Sequence, residues 1–261
     1  MVSDTTGDGG GEASPTVGWM DLGIAGRRAA VAAGSSGLGL GVAVALAAEG
    51  VEVAICGRDA DRLKAAADRV GHGCVAIECD VGSAEGAASF VEQVTAVLGG
   101  VDILVANAGG PPPGNFASTP VDAYQVALDL NLLSVVAMCK AAVPAMQERR
   151  WGRVVAITSL AVRQPMAQLI LSNTARAGAT AFLKTLALEV AGDGVTVNSL
   201  QPGLHRTPRI EQLYRTDQLD GMRMGDADDF GAIAAFLCSE QAAFITGVGL
   251  HVDGGGYLAL Q

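Results

Sequence analysis

The chain has 261 residues, half of them hydrophobic, with 35 glycines and 4% aromatic residues. That length suits one large α/β domain or two small ones, with enough apolar side chains for a full core. The 27 acidic and 17 basic residues give a formal net charge of −10, and no basic stripe interrupts the acidic balance, which argues against a nucleic-acid partner. Three histidines, and five cysteines without CxxC spacing (Cys56, Cys74, Cys79, Cys139 and Cys238), argue against a metal centre and read as reduced thiols of a cytoplasmic protein.

In chain order, residues 1–19 are rich in Gly and Asp and lack the basic segment and apolar core of a secretory signal. They are expected to form a disordered tail. A single domain is expected over 20–261. Apolar runs predict strands at 28–33, 51–56, 74–79, 102–107, 153–158, 195–200 and 249–253. Helical patterns fall between them, near 38–49, 60–70, 84–98, 120–149, 173–192 and 227–239. No apolar run is long and uninterrupted enough to predict a membrane span. Strands that are apolar throughout are buried on both faces, so the alternation predicts a doubly wound parallel sheet with helices on each side. Segments 109–119 and 203–226 read as the longest irregular pieces, and ligands of such folds bind where these loops project.

The first strand runs into AAGSSGLGLG and then a helix. Such a turn lets backbone N–H groups approach a diphosphate at a helix N-terminus. An NAD site would place an acid at the end of the second strand, about twenty residues on. Here Gly57 stands there, followed by Arg58. An arginine at that point can pair with a 2′-phosphate, which favours NADP(H); the alternative is a solvated charge at a helix start.

These motifs resemble the short-chain dehydrogenase/reductase superfamily, especially its 3-oxoacyl-carrier-protein reductase-like branch, from residue 20 to the end. The Gly-rich turn is Ala33-Gly34-Ser35-Ser36-Gly37-Leu38-Gly39, and Asp80-Val81 matches the adenine pocket. Ala106-Asn107-Ala108-Gly109 matches the end of the fourth strand, and Pro202, Gly203 and Thr207 match the nicotinamide loop. Asn131 and Ser159 match two members of the active-site tetrad. The resemblance implies a seven-stranded dinucleotide-binding sheet, a small-molecule or carrier-bound carbonyl substrate, no membrane association, and a homodimer or homotetramer built on the helices at 120–149 and 173–192. Two departures touch the cofactor motifs: Ala33 replaces a glycine, and Ala106 replaces an asparagine.

The larger departure is catalytic. In the family a tyrosine thirteen residues after the serine supplies a proton, and a lysine four residues further lowers the phenol pKa and holds the nicotinamide ribose. Those positions are Ser172 and Arg176. A serine hydroxyl is too weakly acidic for the task, and an arginine holds its proton at physiological pH. Arg176 remains suited to ribose hydroxyls or to a developing oxyanion. Three outcomes are compatible with this pair. Ser159, Ser172 and Arg176 hold the oxyanion while water gives the proton; another side chain, His205 first and Tyr214 second, is the acid, the alternative being that His205 packs under the cofactor or faces solvent and Tyr214 packs in the lid; or the chain performs non-redox chemistry or none. The segment following Thr207 is short for the family's substrate lid, which predicts an open site.

Overall fold

The computed structural model describes residues 20–260; the expected tail at 1–19 lies outside them. Seven strands form one parallel sheet: β1 Arg28–Val31, β2 Glu52–Gly57, β3 Val75–Glu78, β4 Ile103–Ala106, β5 Gly152–Ile157, β6 Val195–Pro202 and β7 Gly249–Val252. Their order is β3-β2-β1-β4-β5-β6-β7, and every pairing is parallel. The expected fold class stands. The helices are α1 Gly37–Ala48, α2 Ala60–Val70, α3 Ala84–Leu98, α4 Asp122–Leu128, α5 Ser134–Glu148, α6 Ile170–Val190, α7 Pro208–Leu213, α8 Thr216–Leu219 and α9 Ala227–Leu237. α7 and α8 correct the expectation for 203–226, which carries two short helices where an irregular loop was expected.

The two faces of the sheet bury different residues of the same strands. Alternation along β1 sends Ala30 to one core, with Phe90, Met138 and Met146, and Ala29 and Val31 to the other, with Leu46, Phe230 and Leu237. Small residues let α1 and α9 cross closely: Gly41 faces the Ala227 carbonyl, and Gly231 faces the Gly41 carbonyl. α4 and α5 join through a π-turn at Asp129–Leu133, giving one helix over Asp122–Glu148. It is long and apolar enough to cross a membrane, but Met138, Cys139, Ala142, Val143 and Met146 are buried in the core, which accounts for that composition.

At the amino ends of the strands, Asp102 is 3% exposed and joins two arginines. It accepts from Arg28 Nε at 2.7 Å, from Arg28 Nη2 at 2.8 Å and from the Arg28 backbone N–H at 3.1 Å. Arg149 Nε lies 3.3 Å away. Burial pushes the carboxyl pKa up, but the Arg28 hydrogen bonds and the charges of Arg28 and Arg149 outweigh it, so Asp102 ionises below the usual carboxylate range. Asp102→Asn is expected to cost about 3 kcal/mol at neutral pH, because it strips two guanidiniums of their counter-ion. A depressed folded-state pKa stabilises above the ordinary carboxylate pKa and is lost as pH falls through the folded value. The gap between native and variant in urea unfolding should therefore be full at neutral pH and close in acid; a gap that persists unchanged in acid would exclude the ion pair as its source.

Candidate nucleotide cleft and catalytic shelf

Strand order reverses between β1 and β4, so the loops leaving their carboxyl ends diverge and open a crevice. A cleft of about 480 Å³ occupies it. Ala33, Ser35 and Ser36 form its floor, Gly57, Arg58, Arg62, Asp80 and Val81 one end, and Gly109–Pro112 with Leu130 and Leu171 the other.

The turn after β1 keeps its register despite the alanine. Ala33 itself adopts a left-handed φ of 48°, a conformation that costs an alanine about 1–2 kcal/mol relative to glycine. It is held by a 3.4 Å hydrogen bond from its N–H to Cys56 Sγ and by Asn107 Nδ2 donating to its carbonyl at 3.4 Å. Gly37 takes φ +57°, and a Cβ at Gly39 would meet the Ala33 carbonyl oxygen at 2.6 Å, so α1 must begin with glycine to approach the turn. Ser36 is the extended N-cap residue of α1, with no side-chain cap bond, and Leu38 follows in the first turn. Thr207 closes the cradle: its Cγ2 would lie 3.4 Å from a Cβ on Gly37. Pro202 ends β6, and Gly203 packs against Asp253.

At the end of β2, Gly57 makes room for Ser35, whose Oγ would lie 2.8 Å from a Cβ there. No carboxylate stands at that strand end. Asp59 is committed to capping α2, accepting from the Arg62 N–H at 2.9 Å. Arg58 and Arg62 are four residues apart, and both line the cleft. Arg58 lies 3.8 Å from Asp80, with both side chains mostly exposed; such a pair contributes little and leaves the guanidinium free to turn.

The catalytic shelf is built by β5 and α6. Ser159 follows β5, and its Oγ accepts from the Ala161 N–H at 3.0 Å, which leaves its own proton free to donate. Ser172 lies in the first turns of α6, is 8% exposed, and forms no hydrogen bond among the described residues. Arg176 stands one turn on. Its Nη1 donates to the carbonyls of Ile157 at 2.8 Å and Thr158 at 3.1 Å, and its Nη2 to Ala108 at 3.5 Å. It therefore ties α6 to the carboxyl ends of β4 and β5. Burial first, and the charge of Arg209 second, pull its pKa down to about 10, so it remains a cation at neutral pH.

Asn131 occupies the π-turn, 3% exposed. Its Nδ2 donates to the Gly109 carbonyl at 2.9 Å, while its Oδ1 is buried without a partner among the described residues. A π-turn that delivers a side chain to a cleft is a common device of functional sites.

Two candidate acids are not brought to this shelf. His205 is 4% exposed and packs edge-on against Phe230, with ring centroids 5.2 Å apart. Its Nδ1 is 3.3 Å from the Gly203 carbonyl, its ring fills the space above Gly225, and burial pushes its pKa down. His205 is thus a core side chain under the loop, the packing role the sequence left open for it beside that of acid. Tyr214 lines a separate shallow depression with Glu211, Gln212, Leu213, Arg215, Asp217 and Gln218. Two further residues bear on the cleft. Arg62 lines it, and its i, i+4 spacing from Arg58 would have revealed it. Arg209 braces the rim, its Nη2 donating at 2.6 Å to the carbonyl of Pro111, a lining residue.

Residues 32–256 match the family described as enoyl-(acyl carrier protein) reductase. The chain is 34% identical over 244 residues to dehydrogenase/reductase SDR family member 4 of Oryctolagus cuniculus, covering 89% of this chain and 94% of the relative. It is 33% identical over 240 residues to 3-oxoacyl-(acyl-carrier-protein) reductase FabG of Escherichia coli strain K12, covering 89% and 98%. Among solved structures it is similar to L-sorbose reductase from Gluconobacter frateurii, complexed with NADPH and L-sorbose, at 31% identity and a TM-score of 0.85, over 92% of this chain and all of that one. With the cradle, the crevice and the sheet order in agreement with these likenesses, the chain belongs to the short-chain dehydrogenase/reductase superfamily of oxidoreductases.

Proposed function

We propose that the protein is an NADP(H)-dependent oxidoreductase of a carbonyl or hydroxyl substrate, with water in place of the usual tyrosine as proton donor. The observation that carries the cofactor reading is the end of β2, where Gly57 stands in place of an acid and Arg58 and Arg62 line the cleft. The L-sorbose reductase structure, which holds NADPH, supports the same cofactor class. The residues fit such a group: the cradle excludes side chains at Gly37 and Gly39, and α1 directs its amino end toward the floor of the cleft. Asp80 and Val81 would flank the adenine, Asn107, Ala108 and Gly109 the ribose side, and Pro202, Gly203 and Thr207 the nicotinamide.

When bound, NADPH supplies a hydride to the carbonyl carbon. The protein's part is to hold the oxygen that gains the electron pair. Ser159 and Ser172 donate hydrogen bonds to it, and the fixed charge of Arg176 stabilises the oxyanion as it forms. Arg176 keeps its proton, so protonation falls to water. The unpartnered Asn131 Oδ1 is an acceptor suited to anchor that water beside the Gly109 carbonyl. Free thiols at all five cysteines support a cytoplasmic setting. Exposed Val121, Val126 and Leu188 on the α4 and α6 surfaces support a homo-oligomer through those helices.

Two measurements test this reading. By fluorescence titration NADPH should bind at least about 10-fold more tightly than NADH. Replacing Arg58 and Arg62 with alanine should weaken NADPH about 10–100-fold while leaving NADH nearly unchanged, the range for lost hydrogen bonds to a charged group. Equal affinities in the native protein would remove the 2′-phosphate assignment. Separately, Ser172→Tyr with Arg176→Lys should raise NADPH-dependent ketone reduction by about 10²–10⁴-fold, since it restores a general acid. A folded double variant, verified by circular dichroism, that gains nothing would mean the native shelf does not reduce ketones.

A further inference from the structure

The described ion pairs reveal an asymmetry. Arg28 faces Asp102 at 2.7 Å, and the fully buried Arg153 faces Glu240 at 3.7 Å. Arg176 and Arg209 are different: both are partly buried, and neither lies within ion-pair distance of any described carboxylate. Each is held only by backbone carbonyls, Arg176 by Ile157, Thr158 and Ala108, and Arg209 by Pro111. Both reach the same short loop after β4, Arg176 at the Ala108 carbonyl and Arg209 at the Pro111 carbonyl three residues on. Withdrawing two like charges from water around one loop without a counter-ion is costly.

Position indicates where the missing anion belongs. Arg209 lies against Gly110, where a Cβ would meet its Nη2 at 2.7 Å, and Gly110 and Pro111 both line the cleft. Ser172 and Arg176 are four apart on α6 and share a helix face. An anion held by the two arginines is thus adjacent to the carbonyl-binding serine, while Leu130 and Leu171 supply an apolar wall. A planar guanidinium fits a carboxylate by two parallel hydrogen bonds.

We propose that Arg176 and Arg209 form a carboxylate subsite, so that the substrate is a short oxo acid or its hydroxy counterpart. This rests on the oxidoreductase reading for the fate of the carbonyl, but the subsite itself is a matter of binding. The carboxylate stays intact through the reaction: hydride joins the carbonyl carbon, the C=O π pair moves to oxygen, and a proton from water completes the alcohol as NADPH becomes NADP+.

The test pairs pyruvate, acetoacetate and levulinate with their methyl esters. Calorimetry is run on the protein alone and with NADPH; turnover is followed alongside. At least one acid should bind about 10–100-fold more tightly than its ester. Arg209→Leu should abolish that preference, Arg209→Lys should restore part of it, and NADPH affinity should not move. Acids and esters binding alike, or an acid preference that survives Arg209→Leu, would overturn the subsite. So would an Arg209→Leu protein whose loss falls on NADPH affinity instead, which would assign the arginine to the cofactor diphosphate. Acid binding without turnover would uphold the subsite while refuting the oxidoreductase reading, and ester turnover without acid preference would do the reverse.

Discussion

A parallel sheet buried on both faces can present backbone polar groups only at its two ends, and most of this molecule's chemistry follows from that constraint. At the amino end the chain uses Asp102 to gather Arg28 and Arg149. At the carboxyl end the carbonyls of Ala108, Ile157 and Thr158 would be left without partners as β4 and β5 give way to loops, and Arg176 meets all three. The same residue is thus a strand-end cap and the fixed charge of the shelf. A lysine has a single ammonium, whereas a guanidinium can address several carbonyls in one plane and still present N–H groups elsewhere.

The field of the site opposes that of the molecule. The chain carries a net charge of −10, yet Arg58 and Arg62 line a cleft in whose lining Asp80 is the acid, and Arg176 and Arg209 hold the Ala108–Pro111 loop at its far end. Low-dielectric walls focus such a field onto the opening. An anionic ligand is then repelled by the general surface and drawn to one place on it, which serves selectivity as well as affinity.

What was legible in the sequence was what depends on neighbours along the chain. Apolar runs gave the strands, α2 and α3 begin and end where their caps Asp59, Ser83 and Gly99 direct, and the glycine turn announced the crevice. Illegible were features set by where a loop travels. Arg209 meets Pro111 at the rim of the cleft because α7 forms within 203–226, a segment with no periodic signal over so few residues. His205 looked available by its distance from Pro202, but the β6 loop turns it under Phe230. Ala33 is a third kind of case. An alanine stands where the motif has a glycine, and the chain holds it at φ 48°, where Cys56 and Asn107 pin it.

The π-turn at Asp129–Leu133 has a mechanical consequence. One extra residue in a helix rotates everything beyond it by about 100°. α5 can therefore present Met138, Val143 and Met146 to the sheet while α4, on the same axis, presents Ala127 to α6 and the cleft. The long rod works as two independently aimed halves with Asn131 at the joint. Changes in the α4 wall can reshape what the cleft admits without disturbing the register of the core, so the mouth of the site is free to diversify while its foundation stays fixed.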